Sequence, residues 1–351
     1  MPPETPSERR PRLTPAIADV RRAVRDSLEA LPTSGDAPLV LVALSGGPDS
    51  LALAAATAFE APRQGMRAGA VIVDHGLQRD SAMVAARAAE QARSLGLDPV
   101  LVREVEVGSG PGSGGPEAAA RDARYTALDA AGRDTGSVAV LLGHTLDDQA
   151  ETVLLGLARG AGASSLHGMA PVSGALVRPL LGIRRETTVA ACADAGLEPW
   201  IDPHNADPSY TRVRVRETVL PTLERELGPG VAEALARTAE QLREDADALD
   251  RMVEETIEEI VEHAEAGIAI SVGALAANPA ALRNRIIRFV VLSEFGVSLS
   301  RAQTLAAAAL VTDWHGQKGA DLPGIRVVRV AGKLVFQAAA DIYVKEPRAF
   351  E

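Results

Sequence analysis

Aromatic side chains are scarce, with Phe, Tyr and Trp together making up 3% of the chain. That argues against a recognition surface built from stacked rings, as many single-strand binders use. Cysteine is almost absent. Cys192 stands alone, so no intrachain disulfide and no cysteine-based zinc or iron–sulfur site can form. This usage fits a reducing cytosol, and a cytoplasmic location is expected. Positive charge is also in deficit, with a formal net charge of −11. That speaks against a general nucleic-acid coat protein, which needs clustered Lys and Arg. The deficit is uneven, however: residues 231–265 carry 12 acidic and 3 basic side chains, and other segments are close to neutral or locally basic. The N-terminal segment is charged (Glu4, Glu8, Arg9, Arg10) and has no apolar h-region. No run reaches the roughly 18 apolar residues that span a bilayer, so no membrane partner is expected.

The chain has 351 residues, 46% of them hydrophobic, enough for two or three domains with substantial cores. Residues 1–14 are rich in Pro and Arg and read as a disordered arm. Helical spacing follows at Ile17, Val20, Val24, Leu28 and Leu31. A repeating pattern then begins. Short apolar runs at Leu39–Leu44, Ala70–Val73, Pro99–Val105 and Val138–Leu142 read as buried strands. Helical segments separate them, after Ser50, from Ser81 to Ser94, and from Pro116 to about Ala130 behind a Gly/Ser linker at 108–115. A further helix runs from Leu146 to Ala158. Strands alternating with helices imply a parallel sheet covered on both faces. The alternation fades after about residue 185, and residues 198–208 read as a linker. Beyond it Leu235, Leu242, Leu249, Val253, Ile257 and Ile260 share one helical face, and residues 281–311 are helical by spacing. Two short strands around Ala331-Gly332 suggest a hairpin. The expected organisation is an arm and helix at 1–36, an α/β domain at 37–205, and a mainly helical domain with a small β element at 206–351.

Four segments carry chemistry. The first is Ser45-Gly46-Gly47-Pro48-Asp49-Ser50, between the first strand and its helix. Two glycines let backbone approach a phosphate closely, and the amides opening the helix point at it. Asp49 is anionic, so facing phosphate it requires Mg²⁺ between them. The bland alternative is an ordinary strand–turn–helix corner. The second is Asp74-His75-Gly76 at the end of the second strand, either a nucleotide contact or a turn capped by Asp74. The third runs from Gly143 to Glu151. Thr145 suits an N-cap, and Asp147 and Asp148 favour the helix dipole. Glu151 lies four residues after Asp147 and three after Asp148, so carboxylates converge on one face beside His144. Such a face can hold a cation or a metal. The fourth pairs Arg121 with Arg124 on a helix face, either a phosphate clamp or a solvated surface.

In this order and spacing the segments SGGPDS, VDHGL, EAAARDARY and GHTLDDQAETVLLGLARG resemble bacterial tRNA(Ile)-lysidine synthetase. Arg178-Pro179-Leu180-Leu181, Asp202-Pro203-His204-Asn205, and the alternation of Arg212, Arg214 and Arg216 ahead of Leu220-Pro221 are similar too. The first segment alone marks only the wider PP-loop ATP pyrophosphatase group, whereas the fourth is far more specific. The resemblance covers about residues 37–225 strongly. It implies a PP-loop α/β domain followed by a helical tRNA-binding domain. It also implies a two-step reaction, in which ATP adenylates C2 of cytidine 34 in a tRNA(Ile) with anticodon CAU, releasing pyrophosphate, and free L-lysine displaces AMP. By resemblance Ser45, Gly46, Gly47, Pro48, Asp49, Ser50, Asp74 and His75 would hold ATP, with Mg²⁺ on Asp49. Asp147, Asp148 and Glu151 would hold lysine; Asp49, Arg121, His144, Asp148 and Glu151 would carry catalysis. Arg178, Arg212, Arg214 and Arg216 would meet tRNA, and a homodimer is admitted as the assembly. The family's usual Arg-Asn-Arg-Ile-Arg run has Val213 in place of its Asn, which leaves no role for that amide.

Three other readings share the loop. A tRNA thiolase needs catalytic cysteines, and Cys192 is alone and reads as lying far from the motifs. Small-molecule amidotransferase-type enzymes also use such a loop but leave the acidic helix and the helical tail unexplained. A non-catalytic ATP-binding module would not need Ser45, Asp49, Asp148 and Glu151 together.

Overall fold

The computed structural model describes residues 13–32, 35–76, 80–105, 116–160, 166–202, 207–264 and 267–339. The expected N-terminal arm, apart from Leu13 and Thr14, and the expected linker at 108–115 lie outside them. The chain forms two compact units that part between Glu240 and Gln241.

The first unit opens with α1 (Pro15–Glu29), capped by Thr14, whose Oγ1 accepts from the Ile17 amide. Its strands and helices then alternate as β1 (Leu39–Ala43), α2 (Pro48–Glu60), β2 (Arg67–Asp74), α3 (Ser81–Ser94), β3 (Val100–Glu104), α4 (Pro116–Thr135), β4 (Ala139–Leu141) and α5 (Leu146–Ala158). Short strands β5 (Val172–Ser173) and β6 (Leu176–Val177) and helix α6 (Arg185–Asp194) follow. The sheet order is β3-β2-β1-β4-β6-β5. All neighbours pair in parallel except β5 with β6. The continuous apolar run of β1 is explained by its position: every residue from Leu39 to Ala43 is buried, with β2 and β4 on its two sides. Leu41, Leu51, Leu53, Ile72 and Leu141 are fully or almost fully buried, each contributing about 1.5–3 kcal/mol. The chain leaves β1 towards β2 on one side and later returns to add β4 on the other. The carboxyl ends of β1 and β4 thus flank the topological switch point, where open α/β sheets bind ligands.

After α6 the chain enters α7 (Thr211–Arg214), passes through a π-type turn at Val215–Val219 and continues as α8 (Leu220–Leu227). Pro221 explains the turn. It has no amide to donate, and its ring opposes the preceding carbonyls. The register slips by one, and the Leu220 amide reaches Val215 O. Helix α9 (Val231–Ile260) is one long element. In the first unit its early residues Ala232, Leu235 and Ala236 pack with Leu146 and Ala150 of α5.

In the second unit the later α9 residues Leu249, Val253, Ile257 and Ile260 join a core with Ile270, Ile286, Ile287, Val327 and Phe336, as their shared face implies. Helices α10 (Val272–Ala277), α11 (Ala280–Phe295) and α12 (Arg301–Thr312) accompany strands β7 (Val261–Ala264), β8 (Gly267–Ser271), β9 (Ala320–Leu322), β10 (Ile325–Val330) and β11 (Lys333–Ala338). The expected hairpin is β10–β11, closed by Ala331 and Gly332 at φ 48° and 76°, as a type I′ turn requires. It is the middle of a five-stranded antiparallel sheet ordered β7-β8-β11-β10-β9. The expected helical stretch 281–311 is two helices, α11 ending at Gly296 in the left-handed region.

Candidate functional site

The first segment forms the loop from β1 into α2. Gly46 has φ +84°, a conformation that favours glycine. Its carbonyl accepts from the Trp200 amide at 2.8 Å. Ser50 Oγ donates to Gly47 O at 3.0 Å and lies 3.1 Å from Ser45 Oγ, so the two hydroxyls brace the loop. Gly143, at the end of β4, has no room for a side chain: a Cβ there would lie 3.0 Å from the Ser50 amide nitrogen and 3.1 Å from Asp49 carbonyl carbon. The segment leaving β4 is thus in close contact with the backbone of the first turn of α2, beside the switch point.

Beside the loop, a cleft of about 240 Å³ opens at the ends of β1 and β2, lined by Ser45, Asp74, His75, Arg124, Trp200 and Asp202 among others. Asp74 Oδ1 accepts from the Gly76 amide at 2.9 Å, so the turn-capping reading holds for it while it also lines the cleft. Of the two paired arginines, Arg124 lines the cleft. Arg121 is exposed, with Nη2 3.2 Å from the Tyr125 hydroxyl. Burial lowers the Arg124 pKa, an effect to which Arg121 adds. The cleft therefore contains a cation whose charge an anionic ligand would stabilise.

The third segment behaves both as a cap and as a site. Thr145 and Asp148 form a reciprocal capping box at the start of α5. Asp148 Oδ2 accepts from the Thr145 amide at 2.8 Å. Its other oxygen, Oδ1, accepts from Arg185 Nη2 at 2.7 Å. Glu151 is fully buried. Its Oε1 accepts from Arg216 Nε at 2.8 Å and Arg185 Nη1 at 3.1 Å, and Oε2 from Arg216 Nη2 at 3.1 Å. Arg212 Nε stands 3.3 Å from Oε2. Asp147 Oδ2 accepts from the Arg185 amide at 2.7 Å, and its Oδ1 lies 3.3 Å from Arg184 Nη2. Asp49, on the PP loop, accepts from the Thr188 hydroxyl and lies 3.6 Å from Arg185 Nε. Asp49, Asp147, Asp148 and Glu151 thus form one network with Arg184, Arg185, Arg212 and Arg216, and Arg184 extends it to Glu233 at 3.0 Å and Glu224 at 3.9 Å.

Ionisation follows from these partners. Asp148 is desolvated, yet Arg185, the Thr145 amide, His144 and Arg216 outweigh burial and hold it below the ordinary carboxylate range. Burial pushes Asp49 up, against Thr188 and Arg185. Burial pushes the His144 imidazole down to about 3, with Arg124 and Arg178 adding to the effect and Asp148 opposing it. His144 is consequently neutral at pH 7. On acidification the unfolded chain takes up this proton near 6.5 while the folded chain resists it to about 3. Stability held above pH 6.5 is therefore lost as pH falls, by up to about 1.4 kcal/mol per unit. Melting temperatures from pH 7.5 to 5 should fall more steeply for the wild type than for His144→Asn; parallel curves would contradict this.

Several sequence expectations meet the structure differently. Cys192 does not lie far from the motifs: its buried Sγ donates to Pro48 O at 3.3 Å, because α6 packs behind the first turn of α2. Burial pushes its thiol up to about 11, which suits packing rather than nucleophilic chemistry. Arg178 is buried, its Nη1 donating to Ala170 O at 2.8 Å. Arg214 is exposed and donates to Pro208 O and Ser209 O at 2.7 and 2.8 Å. Arg212 and Arg216 face the carboxylates of α5. The central cation, Arg185, was not singled out by the sequence, although a signal existed. Arg184 and Arg185 stand at the N-cap and first position of α6, where the helix dipole disfavours cations unless acids compensate.

A crossover sheet with a glycine loop at its switch point, braced by two serines, defines a PP-loop nucleotide-binding protein. Residues 20–223 match the PP-loop domain family, and residues 270–335 match the TilS substrate binding domain. The tRNA(Ile)-lysidine synthase of Leifsonia xyli subsp. xyli is 67% identical over 299 residues, covering 85% of this chain and 89% of that one. The enzyme of the same name from Thermobifida fusca is 52% identical over 314 residues, covering 89% and 94%. The chain belongs to the tRNA(Ile)-lysidine synthase family and is an enzyme of the ligase type. The fold is shared with the U34-tRNA thiolase NcsA from Methanococcus maripaludis, at 20% identity and a TM-score of 0.53 over 65% of this chain and 80% of that one.

Proposed function

We propose that the chain joins free L-lysine to C2 of cytidine 34 in the CAU anticodon of tRNA(Ile), through an adenylated tRNA, with release of pyrophosphate and AMP. The observation that carries this reading is the adjacency of two sites: the PP loop at the end of β1 and the carboxylate face of α5 at the end of β4, joined through Arg185. ATP occupies the cleft, with its phosphates against the loop amides, Ser45, Ser50 and Arg124. Among the described residues no three His, Cys, Asp or Glu side chains converge to hold a metal by themselves. Mg²⁺ is commonly held by one or two carboxylates plus phosphates, and Asp49, beside the loop, fits as that single protein ligand. When bound, Mg²⁺ neutralises charge developing on the leaving pyrophosphate.

The lysine ammonium meets Asp147 and Asp148, whose side chains keep some exposure, 16% and 15%. Glu151 has none and acts through Arg185 and Arg216. A carboxylate first takes a proton from the ammonium, the freed amine lone pair attacks C2, and the C2–O bond breaks to release AMP while the nitrogen's remaining excess proton passes to solvent. The tRNA body is met by the second unit, where burial lowers the Arg288 pKa, with Arg285 and Arg301 adding to the effect and Asp250, which also pairs with Arg285, opposing it. This concentrated charge is relieved by phosphate. The reading specifies an order of events that can be measured. With tRNA and ATP alone, pyrophosphate should appear without matching AMP; adding lysine should release AMP. Pyrophosphate release without tRNA would favour a small-molecule PP-loop enzyme instead.

A further inference from the structure

Building on that proposed function, we infer that Arg185 is a positioning residue that holds the PP-loop carboxylate and the two α5 carboxylates in one constellation. Every donor nitrogen of its guanidinium faces a different acid: Nη2 lies 2.7 Å from Asp148 Oδ1, Nη1 3.1 Å from Glu151 Oε1, and Nε 3.6 Å from Asp49 Oδ2. Its backbone amide fixes a fourth, Asp147, at 2.7 Å. Arg212 and Arg216, the other arginines on Glu151, make no such ion pair with Asp49 within 4 Å. The guanidinium plane is rigid, so the directions of its donors fix the relative placement of the carboxylates they meet. A lysine ammonium is a single point of charge and cannot serve three separated acids at once. The placement of a cation in the first turn of α6, against the dipole, is offset by these four acids. The residue touches carboxylates, and its influence on the reaction passes through them. Because Asp49 serves the ATP step and Asp148 the lysine step, loss of the fork should affect both.

The test uses the full chain with tRNA. Pyrophosphate release and the KM for lysine are measured for the wild type, Arg185→Lys, Arg185→Ala and Asp49→Asn, alongside melting temperatures. The contacts with Asp148 and Glu151 are hydrogen bonds between charged groups and that with Asp49 is an ion pair at 3.6 Å, interactions worth roughly tenfold effects or more. Arg185→Lys should therefore release pyrophosphate about tenfold more slowly and show about a tenfold higher lysine KM. Arg185→Ala should lose both further and regain rate with added guanidinium, but not with sodium chloride at equal ionic strength; a role in stability alone would give no such rescue. Wild-type values for Arg185→Lys, a loss confined to one step, or absence of guanidinium rescue would overturn the inference, while an inactive Asp49→Asn would leave the proposed function standing. Normal pyrophosphate release by Asp49→Asn would overturn the inference, by removing Asp49 from the ATP step, and would not by itself bear on whether lysine is joined to tRNA.

Discussion

Asp49→Asn should cut pyrophosphate release by roughly 100-fold or more while leaving the fold intact. Asn has nearly the shape of Asp, and position 49 lies in the first turn of α2, where the Thr188 hydroxyl already contacts it. Burial disfavours the charged form of Asp49, which is why its pKa is raised. Neutralising it therefore removes a desolvation penalty along with the attraction to Arg185, and the two changes in stability largely offset each other. On the proposed reading the loss falls on the reaction, because Asp49 is the carboxylate that would meet a phosphate-bound cation. The check is a melting curve beside a pyrophosphate assay. A folded variant with normal release would remove Asp49 from the mechanism.

Glu151→Gln should have the opposite profile, a large loss of stability together with a loss of lysine use. Glu151 is fully buried and faces Arg185, Arg212 and Arg216 at 2.8–3.3 Å. Removing its charge leaves three guanidiniums facing one another with fewer counter-charges. Breaking a buried ion pair from one side costs about 3–5 kcal/mol. The arginine side chains here are 22–32% exposed, so solvent screens part of this, and about 3 kcal/mol is expected. For a unit of this size that lowers the melting temperature by about 6–12 °C. The released arginines compete with the lysine ammonium for Asp148, so lysine KM should rise about tenfold or more. A variant with wild-type melting temperature would show that the arginines do not depend on Glu151. An unchanged lysine KM beside a raised ATP KM would move the acidic face to the nucleotide.

Much of this architecture is legible in the residues. The apolar runs of β1, β2 and β4 are continuous because parallel strands are buried on both faces, and the Ala331-Gly332 turn can adopt positive φ where few other residues would. The PP loop is legible because glycine, proline and serine each have a local reason to be there. The pairing of α5 carboxylates with arginines is not, because it is long-range: Glu151 meets side chains 34 and 65 positions away. Helical spacing shows that acids converge, not what converges upon them. The same limit explains Arg212 and Arg216, whose alternation resembles a phosphate-binding stripe but whose helix, redirected by the π-type turn before Pro221, faces α5. Cys192 is legible only as a helical residue, and its contact with Pro48 depends on α6 packing behind α2. The strands β7, β8 and β9, which flank the hairpin, are short and lack alternation long enough to stand out beside neighbouring helices.

The most direct test of the central claim follows labelled lysine. The full chain is incubated with ATP, labelled L-lysine and a tRNA(Ile) transcript bearing CAU, beside a transcript in which cytidine 34 is replaced by uridine. The account predicts stable label on the first transcript, mapping to nucleotide 34, with one AMP released per lysine incorporated, and none on the second. Equal labelling of both transcripts, or ATP turnover that needs lysine but no tRNA, would contradict it.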